Sequence, residues 1–243
     1  MRHEVIIAGA GPGGAAVAAG LVRRDPGLAG RILVVDRERF PRAKPCGGGL
    51  TGHAAEAMAA LGRRLDVEHA PAPDGVVRFG GFERRVRLPR PVNVVRRDDF
   101  DAALVAQVRA AGVEVREGVA LEDVSVEDGG VSARVGGERV RARVLVGADG
   151  VGSLVRKRLT GTGAGAERPG TPIRLFRAEL PAPPAWRGRR EMLYDFTAMG
   201  EGMRGYVWIF PVPGDRINVG LMHYPGRAPG RPAQRRSRRG ARR

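Results

Sequence analysis

Two side chains that are scarce in this chain stand almost side by side. Of its 42 lysines and arginines only Lys44 and Lys157 are lysines, and Cys46 is its single cysteine. Lys44 and Cys46 share the stretch FPRAKPCGGGLTG, Phe40–Gly52, boxed by prolines and followed by Gly47, Gly48 and Gly49. A thiol can face a reacting group, and an ammonium can meet developing negative charge or a phosphate. Glycine backbone can approach a flat ring without a Cβ clash. The plainer reading of the same residues is a Pro/Gly surface loop with a free thiol.

A second candidate is GAGPGG, which fits G-x-G-x-x-G at Gly9, Gly11 and Gly14, with Gly13 beside them. The pattern alone decides nothing, because 37 glycines among 243 residues produce about one match by chance and two others occur, at Gly47/Gly49/Gly52 and Gly200/Gly202/Gly205. Context separates them. Only the first follows a short apolar run, opens an alanine-rich segment, and is followed by an acid, Asp36, at the end of the next apolar run. Gly9 allows a tight turn, Gly11 lets a pyrophosphate reach the backbone, and Gly14 lets helix and strand pack closely. The helix amides would face the phosphates, and Asp36 would accept from ribose hydroxyls. The pattern predicts a dinucleotide but does not separate FAD from NAD(P).

The elements that would position these residues follow from periodicity. Strands are expected at Glu4–Ala8 and Arg31–Asp36, with a helix from Gly13 to about Arg24, the opening of a doubly wound parallel sheet. A helix is expected at Thr51–Leu61 with Thr51 as its cap, then a turn at Pro71–Gly75, two short strands in Val76–Leu88 and another at Val92–Val95. Asp98 or Asp99 should cap a helix showing Phe100, Leu104, Val105 and Val108 on one face. From Val113 to Val146 the period is two, which predicts an antiparallel meander ending in the strand Val144–Val146, with Ser153 capping a short helix after it. Gly161–Pro172 reads as a linker. Strand-like runs follow at Ile173–Leu180, Glu191–Phe196, Gly205–Val212 and Ile217–Met222, and residues 225–243 read as a disordered basic tail.

Composition narrows the classes. One cysteine excludes an internal disulfide framework and fits a reducing compartment, and four scattered histidines propose no metal site. The formal charge of +16 would suit nucleic acid, but half of it comes from eight arginines between Gly226 and Arg243, and no aromatic-studded basic face accompanies them. Nucleic-acid binding is not expected. The uncharged run Val5–Val22 contains Pro12 and five glycines, so neither a membrane span nor a signal peptide fits, and a cytoplasmic protein is expected.

Five segments together resemble the geranylgeranyl reductase family of flavoproteins, within the wider p-hydroxybenzoate-hydroxylase-like class. They are GAGPGG, DRERFPRAKPCGGGL, RRDDFDAAL, GADGVGSLVRKRL and GYVWIFPVPGDRINVGL. The resemblance implies an α/β fold: a Rossmann-like FAD-binding domain of the glutathione-reductase type with an antiparallel-sheet substrate domain. It implies a discontinuous FAD-binding domain from residues 1–70 and 92–160, and a partial substrate domain from 71–91 and 161–224. The cofactor would be FAD, reduced by NAD(P)H or a ferredoxin-like donor. Cys46 and Lys44 would act at the reacting ring. Gly9, Gly11, Gly13, Gly14, Asp36, Cys46, Gly47, Gly48, Arg97, Asp149 and Gly150 would hold FAD. Tyr206, Trp208 and Phe210 alternate, so in a strand they share one face; in the family they line a pocket for an isoprenoid chain, although a core-facing strand shows the same stripe.

The implied activity is reduction of C=C bonds in a polyprenyl group carried by a lipid, quinone or diphosphate, with contact extending to a membrane surface. The alternatives are an aromatic monooxygenase and an inactive FAD-binding fragment. Family members continue past Asn218-Val219-Gly220 to a G-D-A-A-G motif. This chain instead runs from His223 into RAPGRPAQRRSRRGARR, which suggests a shortened member.

Overall fold

The computed structural model describes residues 3–160 and 173–224, and strands are numbered β1–β14 in chain order. The expected linker at Gly161–Pro172 and the basic tail lie outside the described residues. The centre is a four-stranded parallel sheet in the order β10-β1-β2-β6, built from β1 (Val5–Ala8), β2 (Ile32–Asp36), β6 (Glu114–Glu117) and β10 (Val144–Gly147).

The two faces of this sheet are sorted by alternation along each strand. Val5, Ile7, Ile32 and Val34 pack against Ala15 and Ala18 of α1 (Pro12–Arg24) and against Phe100, Leu104, Val105 and Val108 of α3 (Arg97–Ala110). Ile6, Leu33 and Val35 point the other way, onto Ala133, Val135 and Ala142 of a three-stranded meander. That meander is β7 (Leu121–Glu127), β8 (Gly130–Val135) and β9 (Glu138–Ala142). Both faces are therefore covered, which is why the sequences of β1 and β2 are apolar at nearly every position. Each fully buried side chain of this size contributes roughly 1.5–3 kcal/mol.

The second layer is a seven-stranded sheet in the order β11-β14-β13-β12-β4-β5-β3. Its strands are β3 (Gly49–Leu50), β4 (His69–Phe79), β5 (Phe82–Val95), β11 (Arg174–Pro181), β12 (Glu191–Asp195), β13 (Gly205–Val212) and β14 (Arg216–His223). The two remaining helices are α2 (Gly52–Ala60) and α4 (Leu154–Leu159).

Several local expectations are corrected. Pro71–Gly75 is not a turn but part of β4, with a register shift between Ala72 and Asp74 around Pro73, which has no N–H for a regular ladder. The strand expected up to Leu88 and the one expected at Val92–Val95 form one strand, β5, whose pairing with β4 skips from Arg87 to Val92. The stretch from Val113 is not all meander, because Glu114–Glu117 returns from α3 to pair in parallel with β2. Neither Asp98 nor Asp99 caps α3, which begins at Arg97; both lie in its first turn, where negative charge suits the helix dipole. Thr51 occupies the cap position of α2 without a side-chain bond, whereas Ser153 caps α4 by accepting from the Arg156 N–H.

One ion cluster ties α3 to the second sheet. Glu179 on β11 accepts from Arg96 Nε at 2.8 Å and from Arg216 Nε at 2.9 Å, while Arg96 also donates to the Pro213 carbonyl. Burial alone would raise the Glu179 carboxyl, but the hydrogen bonds and charges of Arg96 and Arg216 outweigh it and hold it below the ordinary carboxylate range. A lowered folded-state value means that this stabilisation is complete above the unfolded carboxylate range and is lost as pH falls through the folded value. Glu179→Gln should therefore cost about 1–2 kcal/mol at neutral pH in urea melts, and its deficit should shrink toward zero in strong acid.

Candidate functional site

β1 ends in a turn that only glycine can make. Gly9 has φ 99°, and a Cβ on it would strike the Ala148 carbonyl at the end of β10. A Cβ on Gly14 would overlap the Gly9 carbonyl, so helix and strand touch there. Gly11 precedes α1 in an extended conformation, Gly13 is exposed, and the first turn of α1 carries no acid. Asp36 points at this turn, its Oδ2 accepting from the Ala10 N–H at 2.8 Å and its Oδ1 from Glu38 N–H at 2.9 Å. Carboxylate lone pairs remain for ribose hydroxyls.

Asp149 is differently employed. Its oxygens accept from Ser153 Oγ and from the Leu154 and Val155 N–H groups, so the carboxylate caps α4. Together with Gly150, at φ 76°, it shapes the turn that follows Ala148. Its expected closeness to a pyrophosphate thus rests on the turn, the carboxylate itself being used internally.

The strongest electrostatic feature is only half legible in the sequence. Arg97 grips both oxygens of the fully buried Asp101, at 2.8 and 2.9 Å, one helical turn along α3. Arg42, from the Phe40–Gly52 loop, reaches the same carboxylate at 3.2 Å and lies over the Phe40 ring. Its terminal nitrogen lies 3.3 Å from where a Gly11 Cβ would stand, so it sits at the amino end of α1. Burial disfavours the Arg97 cation, but hydrogen bonding to and the charge of Asp101, with a smaller part from Cys46, hold its pKa above the ordinary arginine value. Two cations and one anion leave a net +1 beside unsatisfied helix amides, an anion-binding arrangement. Sequence reasoning finds Arg97 and misses Arg42, whose only signal is its place in the loop.

The glycines after Cys46 fit the loop to the second sheet. A Gly47 Cβ would lie 2.8 Å from the Phe210 ring, and Gly48, at φ 79°, would meet the Val95 carbonyl. These absences of side chain let the loop press onto the second sheet. Asn218, 1% exposed, locks the contact: it accepts from Trp208 Nε1 and donates to the Cys46 carbonyl, both at 2.9 Å. Gly220 leaves the space that the Trp208 indole fills. Cys46 itself is half-buried, its Sγ 3.4 Å from the Gly48 N–H. Lys44 is exposed and has no ion-pair partner among the described residues.

Tyr206, Trp208 and Phe210 do share a face of β13, but Trp208 and Phe210 are buried core residues beneath the loop. Tyr194 and Phe196 extend the set: Tyr194 lies 5.1 Å from Phe210, and Phe196 5.1 Å from Tyr206. Burial pushes the Tyr194 phenol up, and the Tyr206 phenol likewise, so these rings stay uncharged.

On the opposite side of the loop lies a cavity of about 340 Å3 that periodicity does not reveal. Pro12 and Ala15 of α1, Met58 of α2, and Phe100 and Leu104 of α3 make it apolar, while Cys46 and Arg97 bring polarity to it. Its size and lining, mostly apolar with few polar groups, are those of a small-molecule site. Among the described residues no cluster of three or more potential metal ligands occurs.

The comparisons agree with this geometry. The chain is 31% identical over 231 residues to a menaquinone reductase of Mycolicibacterium smegmatis, a match covering 90% of this chain and 54% of that protein. It is 34% identical over 181 residues to a rifampicin monooxygenase of Streptomyces venezuelae, covering 71% of this chain and 36% of the relative. The chain thus spans about half the length, or less, of these relatives. A geranylgeranyl bacteriochlorophyll reductase-like protein of Thermoplasma acidophilum has the same fold, with TM-score 0.73 at 20% identity over 91% of this chain and 56% of that one. Residues 2–212 match the family described as FAD binding domain, and the chain belongs to that family.

Proposed function

We propose that the chain holds FAD along α1 and serves an FAD-dependent reductase acting on a polyprenyl-bearing molecule. The observation that carries the cofactor half is the pairing of Arg42 and Arg97 over one carboxylate at the amino end of α1. A pyrophosphate there would gain two guanidiniums and the helix amides, with Asp36 placed for the ribose. When bound, FAD supplies the two-electron chemistry. The chain's own residues bind and orient it: Cys46 at the cavity, its backbone fixed by Asn218, and uncharged aromatic rings behind the loop.

Support for the polyprenyl half is the likeness to the menaquinone reductase together with the neutral aromatic face of the second sheet. The likeness to the rifampicin monooxygenase favours a second reading, oxygen insertion into an aromatic substrate. Anaerobic incubation with FAD, dithionite and menaquinone, beside an aerobic control, separates the two. After the quinone ring has been reoxidised in air, a prenyl chain still heavier by a pair of hydrogens is the expected result, since dithionite alone reduces the ring. An oxygen-dependent hydroxylated product would establish the second reading, and a protein that takes up no FAD would remove both.

Arg42→Ala should weaken FAD binding by about 10–100-fold in a fluorescence-quenching titration while leaving the circular dichroism spectrum intact. Asn218→Leu removes two buried hydrogen bonds and strands the Trp208 indole N–H and the Cys46 carbonyl. It should cost roughly 2–4 kcal/mol in urea melts and shift the tryptophan emission, whereas Asn218→Asp should retain the acceptor for Trp208 alone.

A further inference from the structure

One end of the seven-stranded sheet presents apolar side chains that are left open to solvent. The β4–β5 hairpin turns through Gly80 and Gly81, with Phe79 and Phe82 paired directly across it. The register carries this level across the sheet, through Tyr206 of β13 and Met222 of β14 to Leu175 of β11. Ile173 precedes β11 at this end, and Met199 lies in the turn of helix that follows β12, next to the hairpin through the Gly80 N–H bond to Thr197. Phe79, Phe82, Met199, Ile173 and Leu175 are each between 44% and 58% exposed. From β5 to β11 the edge spans roughly 24 Å at the usual strand spacing.

The charges around this rim are selective. Arg84 beside the hairpin tip, Arg174 at the start of β11 and Arg204 before β13 have no acidic partner among the described residues. Glu83 and Asp195 are both engaged by Arg78, which leaves Glu201 as the one acid there without a pairing arginine among the described residues. Exposed aromatic and aliphatic side chains interspersed with unpaired arginines suit an anionic bilayer, where rings enter the headgroup region and guanidiniums meet phosphates. Outside Gly226–Arg243, which carries half of the net charge of +16, the chain is still basic, which suits the same partner. Inward from the rim, the tilted rings of Phe196, Tyr206 and Tyr194 lead to Phe210 under the Cys46 loop, at centroid separations of 5.1 to 5.9 Å.

We propose that this rim, with Phe79 and Phe82 at its tip, docks on an anionic lipid surface and sets the aromatic face of the sheet against the acyl or prenyl chains there. The proposal needs no turnover, so its failure leaves the flavin reading standing, and loss of flavin binding leaves this one standing. The test is sedimentation of the purified full chain with vesicles of phosphatidylcholine and phosphatidylglycerol, beside vesicles of phosphatidylcholine alone. The parent should partition to the anionic vesicles, and the double variant Phe79→Ser/Phe82→Ser should partition about tenfold or more weakly with an unchanged melting temperature. Arg84→Glu should weaken binding to the anionic vesicles only. In the Phe79→Trp variant, brominated lipids should quench emission that they leave untouched in the parent. Binding undiminished in the double variant, with the emission of the Phe79→Trp variant unquenched, would overturn the proposal. So would a parent that ignores vesicles but self-associates through a contact that the double variant abolishes.

Discussion

A carboxylate with no access to water holds this molecule's working region together. Asp101 is fully buried, and alone its charge would cost several kcal/mol; the two arginines that surround it make it tolerable. In doing so it fastens three separate pieces of chain to one point: the start of α3, the loop after β2, and, through Arg42, the glycine turn that opens α1. Remove the anion and two semi-buried cations face each other. Keep it, and one positive charge is left over at a helix terminus that has no acid of its own.

The loop after Phe40 is held from two sides by different forces. Toward the second sheet it is pressed by shape, because Gly47 and Gly48 lack the atoms that would keep Phe210 and Val95 away. It is also pinned by the buried amide of Asn218. Toward the helices it meets open apolar space, with Cys46, Arg63 and Arg97 bringing polarity. A group lodged there would touch a wall fixed by neighbours on its far side, which is the condition for holding a reactive geometry without rearrangement.

What can be read from the sequence and what cannot divide along physical lines. The parallel strands β1 and β2 are legible because both of their faces are buried and the residues are apolar almost throughout. The glycine turn is legible because the positive φ of Gly9 and the contact of Gly14 with the Gly9 carbonyl are set within a few residues, although Gly9 also lies against distant Ala148. Glu114–Glu117 misleads because four half-buried residues cannot show whether their partner is a sequential hairpin strand or β2, some eighty positions back. Pro71–Gly75 misleads because prolines signal turns locally, while here a bulge absorbs them. Arg42, Asn218 and the cavity escape altogether, since each depends on contacts between distant segments: Asn218 lies 172 residues from the carbonyl it holds. Asp149 stands out in the sequence, but nothing local shows that its oxygens turn inward onto α4.

The fourteen residues of β5 carry a mechanical implication. The strand runs from Phe82, out at the hairpin tip, to Val95, and Arg97 opens the next helix two residues on. At about 3.3 Å per residue it would reach roughly 45 Å, but its pairing with β4 lapses between Arg87 and Val92, across Pro89 and Pro91. Tip and Arg97 are thus joined through a stretch, residues 88–91, that has no partner on β4, so a load on the hairpin meets its give there before it reaches the helix.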